Sequence, residues 1–279
     1  MQLDEIIREL STPNMRMIMN RLLESVVITD AEGLIRYHNE QFIRLTNSTG
    51  IGKNLFKDYP FDSPGEREKL LRDSIESGRG RLLGAVKYGN HDENTQKYFK
   101  IQIAPFADGA EVSLSDVTNE VLDGLTGAFS QSYLMSVLKE KEIERAKREE
   151  KKGVYHLALI GIDLKKFKRV NDAYGLDVGD QLLRDTVDIL KSSVRAADYV
   201  IRRGGDEFFV LCPHTDEKQL ETVRERIEKK VADYNQRVKN PDLKLSLYLF
   251  SQSTQTNYSG LFESVSNAIK AQEGSSRTR

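Results

Sequence analysis

Two adjacent acidic residues, Asp206 and Glu207, follow a pair of glycines in the segment 199–212, which is otherwise largely apolar. Apolar runs on both sides of Gly204 and Gly205 predict a β-hairpin with the two glycines in its turn. Glycine adopts positive φ angles without strain and lets a ligand approach the backbone closely. Two carboxylates in an apolar strand are unfavourable unless their charge is compensated, and a divalent cation with a phosphate would compensate it. The alternative is an ordinary hairpin with two surface acids.

A third acid, Asp163, directly follows the apolar run 157–162, which predicts a buried strand. If this strand pairs with the hairpin, Asp163, Asp206 and Glu207 converge on an oxygen-ligand site suited to Mg²⁺. Two such ions can activate a hydroxyl group and stabilise a leaving oxygen in phosphoryl or nucleotidyl transfer. The alternative role for Asp163 is the N-cap of a helix that begins near Lys165, and the two roles are compatible.

The elements that must position these acids form an alternating series of helices and strands. A long helix over 129–152 precedes the buried strand. After the strand the patterns predict two helices, the hairpin, a helix, a strand and a final helix, at about 167–173, 180–193, 199–212, 215–236, 243–250 and 259–272. This order indicates one α/β domain with a central sheet.

The first 118 residues have a different pattern. Two short helices within 3–24 precede alternating strands and helices. The predicted strands are 25–29, 34–37, 81–88, 97–103 and 111–114, and the predicted helices between them are 39–45 and 66–78. We therefore expect a small α+β unit with an antiparallel sheet.

Composition narrows the class of protein. The chain has 279 residues and a net charge of −1, which gives no basic field for nucleic acid or an anionic membrane. Its single cysteine, Cys212, excludes an intrachain disulfide and is best explained as a small apolar residue at a strand end. No apolar run approaches the roughly 18 residues of a membrane span, so we expect a cytoplasmic protein.

Three motifs resemble those of one known family. Gly204-Gly-Asp-Glu-Phe208 matches the GGDEF signature of diguanylate cyclases, and Leu125-Thr-Gly127 matches their opening motif. Asp163-x-x-x-Phe-Lys-x-x-Asn-Asp-x-Tyr-Gly-x-x-x-Gly-Asp180 is similar to their second motif. The resemblance covers about 120–275 and implies an α/β fold like that of nucleotidyl cyclases and polymerase palm domains. That family joins two GTP molecules into cyclic di-GMP and releases two pyrophosphates, with two domains face to face, so it also implies a homodimer.

The resemblance assigns the metal site. It implies that Asp163, Asp206 and the backbone carbonyl of Leu164 hold Mg²⁺ (or Mn²⁺). Asp206 and Glu207 are then the catalytic acids. Glu207 either completes the metal shell or helps to deprotonate the attacking 3′-hydroxyl group.

Guanine recognition falls by resemblance to Asn171 and Asp180. The N1–H and N2–H₂ donors of guanine suit a carboxylate, and its acceptors suit an amide N–H. Further substrate contacts are expected from Phe167, Lys168, Gly204 and Gly205. The alternatives are structural roles, with Asn171 as a helix C-cap and Asp180 as the N-cap of a helix over 181–193.

A possible second nucleotide site is the pattern Arg195-Ala-Ala-Asp198, just upstream of the hairpin. Many members of the family carry an inhibitory product site at this place, so the resemblance implies that cyclic di-GMP binds Arg195 and Asp198. The guanidinium of Arg195 can stack on guanine and reach a phosphate group. The carboxylate of Asp198 can accept hydrogen bonds from the guanine edge. The alternative is a loop ion pair of little energetic value.

Some residues depart from the family pattern. Lys165 replaces a common second acid, Tyr248 replaces a usual glycine, and the last helix, which includes Lys270, is poorly matched. These departures put binding of the GTP triphosphate in doubt. The rival function is therefore a non-catalytic module that binds cyclic di-GMP or GTP and acts through partner proteins.

The first half resembles a PAS sensor domain. The segments that carry the resemblance are Val26-x-Ile-Thr-Asp-x-x-Gly-x-Ile-x-Tyr-x-Asn39, Phe42-x-x-Leu-Thr46, Gly52-Lys-Asn-Leu-Phe56 and Asp116-Val-Thr118. The resemblance implies a signal-controlled protein whose PAS domain binds an unknown small molecule or no ligand. The domain boundaries expected are a helical segment over 1–20, the PAS-like domain over 21–118 and the cyclase domain over 119–279.

Overall fold

The chain folds as two compact units, Met1–Asn119 and Glu120–Arg279. The division falls one residue after the boundary that the sequence places at 118, and the segment 1–20 belongs to the first unit. The structure, a computed structural model, describes residues 2–89, 96–106, 108–134, 156–238 and 241–253.

The first unit is built on an antiparallel sheet whose five described strands lie in the order β2-β1-β5-β4-β3. Its elements are α1 (Leu3–Leu10), α2 (Pro13–Arg21), β1 (Ser25–Asp30), β2 (Ile35–His38), α3 (Glu40–Thr46), α4 (Pro64–Ser77), β3 (Arg81–Tyr88), β4 (Lys97–Phe106) and β5 (Gly109–Asp116). The antiparallel sheet predicted from the alternating strands is confirmed.

Both faces of this sheet are covered. Successive side chains of a strand point to opposite faces. In β1, Val26 and Ile28 pack with Leu3 of α1, whereas Val27 packs in a second cluster with Phe42 of α3. The two short helices at the start of the chain therefore close one face, and α3 lies on the other.

The buried amide of Asn39 joins three elements of the first unit. Asn39 is 1% exposed and is the N-cap of α3. Its Oδ1 accepts from the N–H groups of Val26 and Phe42, and its Nδ2 donates to the carbonyls of Met19 and Glu24. This side chain therefore links α2, β1 and α3 through hydrogen bonds in a site that excludes water.

The second unit contains a mixed sheet in which five described strands lie in the order β10-β7-β9-β8-β6. Strands β6 and β8 are parallel, and the other pairs are antiparallel. After α5 (Thr118–Val121), which crosses the boundary, the elements are β6 (Phe129–Ser130), α6 (Gln131–Tyr133), β7 (His156–Leu164), α7 (Phe167–Tyr174), α8 (Leu176–Ser193), β8 (Tyr199–Gly204), β9 (Glu207–Pro213), α9 (Glu217–Arg237) and β10 (Leu245–Ser253).

The core of the second unit lies between this sheet and the helices α8 and α9. Alternate residues of β7 and β9 meet apolar residues of both helices, including Ile160, Ile162, Phe208, Val210, Leu183, Val187, Val223 and Ile227. Cys212 is fully buried in the same core, and burial raises the pKa of its thiol. The structural role predicted for Cys212 and the central sheet are both confirmed.

Some element bounds differ from the predictions. The helix predicted to begin at 180 begins at Leu176, because Gly175 ends α7 and directly precedes α8 with a φ of +88°. Strand β6 was not predicted. The helix predicted over 259–272 lies outside the described residues, as does most of the one predicted over 129–152.

Within the described residues, every helix is too short or too polar to cross a bilayer.

Candidate active site

The pairing of β7 with β9 brings the predicted acids to the same end of the sheet. Asp163, next to the last residue of β7, lies opposite Glu207, the first residue of β9. The turn of the hairpin is Gly205-Asp206, one residue later than predicted, because Gly204 still pairs with Glu207. Asp206 therefore lies in the turn and not inside the strand. The φ of Gly205 is +53°, a conformation that favours glycine.

Asp163 and Asp206 interact unfavourably. Burial and the Asp206 carboxylate raise the pKa of Asp163, and the ammonium group of Lys165 offsets this only in part. The backbone N–H of Leu164 donates to the carbonyl of Asp206 at 3.2 Å, which holds the strand end against the turn. A cation here would relieve both the desolvation and the repulsion. This oxygen donor set fits Mg²⁺, which proteins hold through one or two carboxylates together with substrate phosphates.

The third acid is paired with an arginine. Nη1 of Arg203 lies 2.6 Å from Oε2 of Glu207, and these side chains are only 17% and 22% exposed. In the part of the chain that the structure describes, no three acidic, histidine or cysteine side chains are grouped to hold a metal ion. The predicted convergence is therefore reached in part: Asp163 and Asp206 interact with each other, whereas Glu207 pairs with Arg203.

The turn is fastened to the beginning of the unit by Arg202. Nε and Nη2 of Arg202 donate to the carbonyl of Gly205 at 3.1 and 2.8 Å, and Nη1 donates to Oδ1 of Asp123 at 2.9 Å. Although burial acts to raise it, hydrogen bonds from Thr126 and Arg202 lower the pKa of Asp123. Sequence reasoning missed this link. One feature of the sequence could have pointed to Asp123, because this residue lies two positions before the opening motif 125–127.

A β-bulge aims the two neighbouring arginines at different partners. Arg202 lies opposite Phe208 and Gly204 lies opposite Glu207, so Arg203 is an extra residue on β8. Such a bulge re-aims side chains that would otherwise alternate regularly. As a result, one guanidinium reaches the turn carbonyl and the other reaches the carboxylate of Glu207.

A second group of predicted residues lies where α7 meets α8. The side chain of Asn171 lies against Gly179, where an added Cβ would overlap Oδ1 of Asn171 and lie 3.0 Å from its Cγ. Oδ1 of Asn171 is buried and has no hydrogen-bond partner among the described residues. Because buried amide oxygens are normally hydrogen-bonded, this atom is available to a donor on a ligand.

The capping roles considered as alternatives for three residues are wrong. The N-cap of α7 is Lys166 and not Asp163, and the C-cap of α7 is Gly175 and not Asn171. Asp180 lies inside α8, which begins four residues earlier, and is therefore not an N-cap. Helix capping therefore does not explain why Asp163, Asn171 and Asp180 stand at these positions.

The other predicted substrate contacts lie on α7 and at the hairpin turn. Phe167 is partly buried, and its Cζ lies 3.3 Å from the position of a Cβ on Gly179. Lys168, Gly204 and Gly205 are exposed. Their contacts with a nucleotide stay a prediction.

The Arg195–Asp198 segment forms a tight turn between α8 and β8. Oδ2 of Asp198 accepts from the backbone N–H of Arg195 at 2.8 Å, and the N–H of Asp198 donates back to the carbonyl of Arg195 at 3.0 Å. Burial raises the pKa of Asp198. Three interactions act to lower this pKa: the hydrogen bond from the backbone N–H of Arg195, the charge of the Arg195 guanidinium and the charge of Arg226. The side chain of Arg195 is exposed. The turn thus presents a cation beside a half-buried carboxylate.

Known proteins have sequences similar to part of this chain. Diguanylate cyclase DosC of Escherichia coli (strain K12) is 35% identical over 127 residues, which are 45% of this chain and 26% of that protein. Response regulator PleD of Caulobacter vibrioides (strain NA1000 / CB15N) is 38% identical over 165 residues, which are 55% of this chain and 35% of PleD. The chain thus spans about a third or less of the length of these relatives.

A solved structure and a family model each match more than half of this chain. The structure of diguanylate cyclase SiaD with its activator SiaC, from Pseudomonas aeruginosa, has 29% identity and a TM-score of 0.45, and the match covers 57% of this chain and 60% of SiaD. The family model "Diguanylate cyclase, GGDEF domain" matches residues 120–277, which is more than half of the chain. The chain therefore belongs to the GGDEF-domain family.

Proposed function

We propose that this protein is a signal-regulated diguanylate cyclase that condenses two GTP molecules into cyclic di-GMP and two pyrophosphates. The observation that carries the proposal is the position of Asp163 against the turn that carries Asp206, where burial and the Asp206 carboxylate raise the pKa of Asp163. Family membership and the activity in the name of the relative DosC support the same reaction.

The metal-binding residues have distinct roles in this proposal. Asp163, Asp206 and the backbone carbonyl of Leu164 hold Mg²⁺ (or Mn²⁺), and Glu207 completes the shell or takes the proton of the 3′-hydroxyl group. The bound ions supply charge neutralisation on the phosphates and activation of that hydroxyl group. Arg202 keeps Asp206 in place through the Gly205 carbonyl.

Guanine binds in this proposal between α7 and α8. Oδ1 of Asn171, which has no partner among the described residues, accepts from the guanine edge, and Asp180 accepts from its remaining donors. The side chain of Phe167 borders the same space, and Lys168 lies on the exposed side of α7. Gly204 and Gly205 carry no side chain that would keep the nucleotide from the turn.

The activity is tested directly by incubating the purified protein with GTP and Mg²⁺. We expect cyclic di-GMP and pyrophosphate in a molar ratio of one to two, measured by chromatography and a coupled pyrophosphate assay. The signal is unidentified, and the reaction needs two GTP sites brought together in the homodimer. The assay is therefore repeated across protein concentrations that favour the homodimer. Cyclic di-GMP binding without any turnover would contradict the cyclase and favour the non-catalytic binding module.

Gly179→Ala is expected to weaken GTP binding about tenfold. The added methyl group overlaps Oδ1 of Asn171, so the amide must leave the position from which it accepts from guanine. Calorimetry with a non-hydrolysable GTP analogue measures the effect. Gly124→Ala is the matched control, since a Cβ at Gly124 meets no atom within 4 Å. An unchanged affinity in the Gly179 variant would contradict guanine binding at this place.

Arg195→Ala is expected to weaken cyclic di-GMP binding at least about tenfold and to relieve product inhibition. The guanidinium of Arg195 is exposed and next to the half-buried carboxylate of Asp198, so the two can hold phosphate and guanine together. Calorimetry with cyclic di-GMP and progress curves of its synthesis measure both effects. Equal affinity in the parent and the variant would remove this site from the proposal.

The first unit is proposed as a PAS sensor that controls the second. Its sequence resemblance and the antiparallel sheet support this role. The signal is a small molecule of unknown identity or a change without any ligand. The homodimer, which brings two GTP sites together, belongs to the same proposal.

A further inference from the structure

The ion pair between Arg203 and Glu207 is built into the hairpin. The bulge on β8 sends the Arg203 side chain across the turn to Oε2 of Glu207, 2.6 Å from its Nη1. Both side chains are mostly covered by protein, so solvent screens their attraction less than that of a surface pair.

We propose that Arg203 is a positioning residue that occupies Glu207 when no metal is bound, so that a divalent cation must displace the guanidinium to gain this carboxylate. The inference rests on the metal site of the proposed function. The bound cation and the Arg203 side chain therefore compete for the negative charge of one carboxylate, of which Arg203 contacts Oε2.

The three acids of the site are not equivalent in this respect. Burial and the Asp206 carboxylate raise the pKa of Asp163, and Lys165 offsets this only in part, so these two carboxylates gain from a cation. Glu207 binds a metal fully only when its pair with Arg203 is weakened or broken. Glu207 therefore joins the metal shell last, and Arg203 lowers the affinity of the whole site.

The competition is measured with Mn²⁺ alone, in the full chain without nucleotide, by the electron paramagnetic resonance signal of free Mn²⁺. Arg203→Gln is expected to bind Mn²⁺ about three- to tenfold more tightly than the parent, because the competing cation is gone. Arg203→Lys keeps the positive charge and is expected to keep the lower affinity. Circular dichroism checks that each variant is folded.

Two further variants separate the ion pair from a general effect of charge. In the background Glu207→Gln, the change Arg203→Gln is expected to raise Mn²⁺ affinity no more than Lys165→Gln does, since the pair is already broken and only the general effect of charge is left. Lys165→Gln removes another nearby cation without touching the pair, and we expect it to raise Mn²⁺ affinity less than Arg203→Gln does.

The outcomes are distinct. Equal Mn²⁺ affinity in the parent and Arg203→Gln, or an increase of undiminished size in the Glu207→Gln background, would overturn the inference without contradicting the cyclase activity. An absence of Mn²⁺ binding in both the parent and Arg203→Gln would also overturn the inference. Tighter Mn²⁺ binding by Arg203→Gln in a protein that forms no cyclic di-GMP would support the inference and refute the proposed reaction.

Discussion

Asp206→Asn is expected to lower the rate of cyclic di-GMP formation by about 100- to 1000-fold. Asn has the same shape as Asp but lacks the charge, so the site at the turn loses half of the carboxylate pair that would hold the metal. The repulsion that raises the pKa of Asp163 is also lost, and the fold should be kept. Initial rates at saturating GTP and Mg²⁺ measure the effect.

The matched control is Asp233→Asn on α9, an exposed residue with the same loss of charge. This variant should keep the parent's rate within about twofold, because surface substitutions away from special features have small effects. Mn²⁺ binding provides a second measurement, in which only Asp206→Asn is expected to weaken affinity. A fully active Asp206→Asn protein would exclude this turn as the catalytic metal site.

Asn39→Leu is expected to destabilise the first unit by about 3 kcal/mol. Leucine has the same number of side-chain heavy atoms and the same branching but leaves four backbone groups, the N–H groups of Val26 and Phe42 and the carbonyls of Met19 and Glu24, without their side-chain partner. The site is buried, so water does not replace these bonds without a local opening.

Urea denaturation, with hydrogen exchange of the β1 amides to identify the first unit, measures the loss. Asn14→Leu, on the exposed surface of α2, is the control and should change the free energy of unfolding by less than about 0.5 kcal/mol. A loss below about 1 kcal/mol in Asn39→Leu would mean that the amide is not what holds α2, β1 and α3 together.

The sequence carried enough information to predict the strands on which the site depends. The apolar run of β7 and the hairpin of β8 and β9 were evident from their residue types, and their pairing placed Asp163 opposite Glu207 as expected. These predictions succeeded because burial on a sheet leaves a strong local pattern.

The sequence could not predict how the hairpin ends. The turn lies at Gly205-Asp206 because the bulge at Arg203 shifts the register by one residue. Two consecutive glycines suit either placement of the turn, so local preference alone does not decide between them. The same bulge separates the directions of Arg202 and Arg203, and no local pattern reveals a partner as distant in sequence as Asp123.

One departure from the family pattern has a structural explanation. Tyr248 of β10 lies opposite Gly161 of β7, so the ring is paired across the strands with a residue that has no side chain. A glycine opposite an aromatic residue leaves space for the ring to cover the backbone. The altered strand therefore keeps its pairing with β7 beside Asp163, whereas the region of Lys270 lies outside the described residues.

The contact between Asp123 and Arg202 determines where the second unit must begin if it is expressed alone or joined to another domain. If its limits were drawn from the strands alone, the unit would start at β6, and Asp123 would be cut away with the loop before it. The guanidinium that holds the Gly205 carbonyl would then lose its counter-ion. The smallest portable version of this unit therefore includes the loop that carries Asp123 and Thr126, and any domain exchanged for the first unit must be joined ahead of that loop.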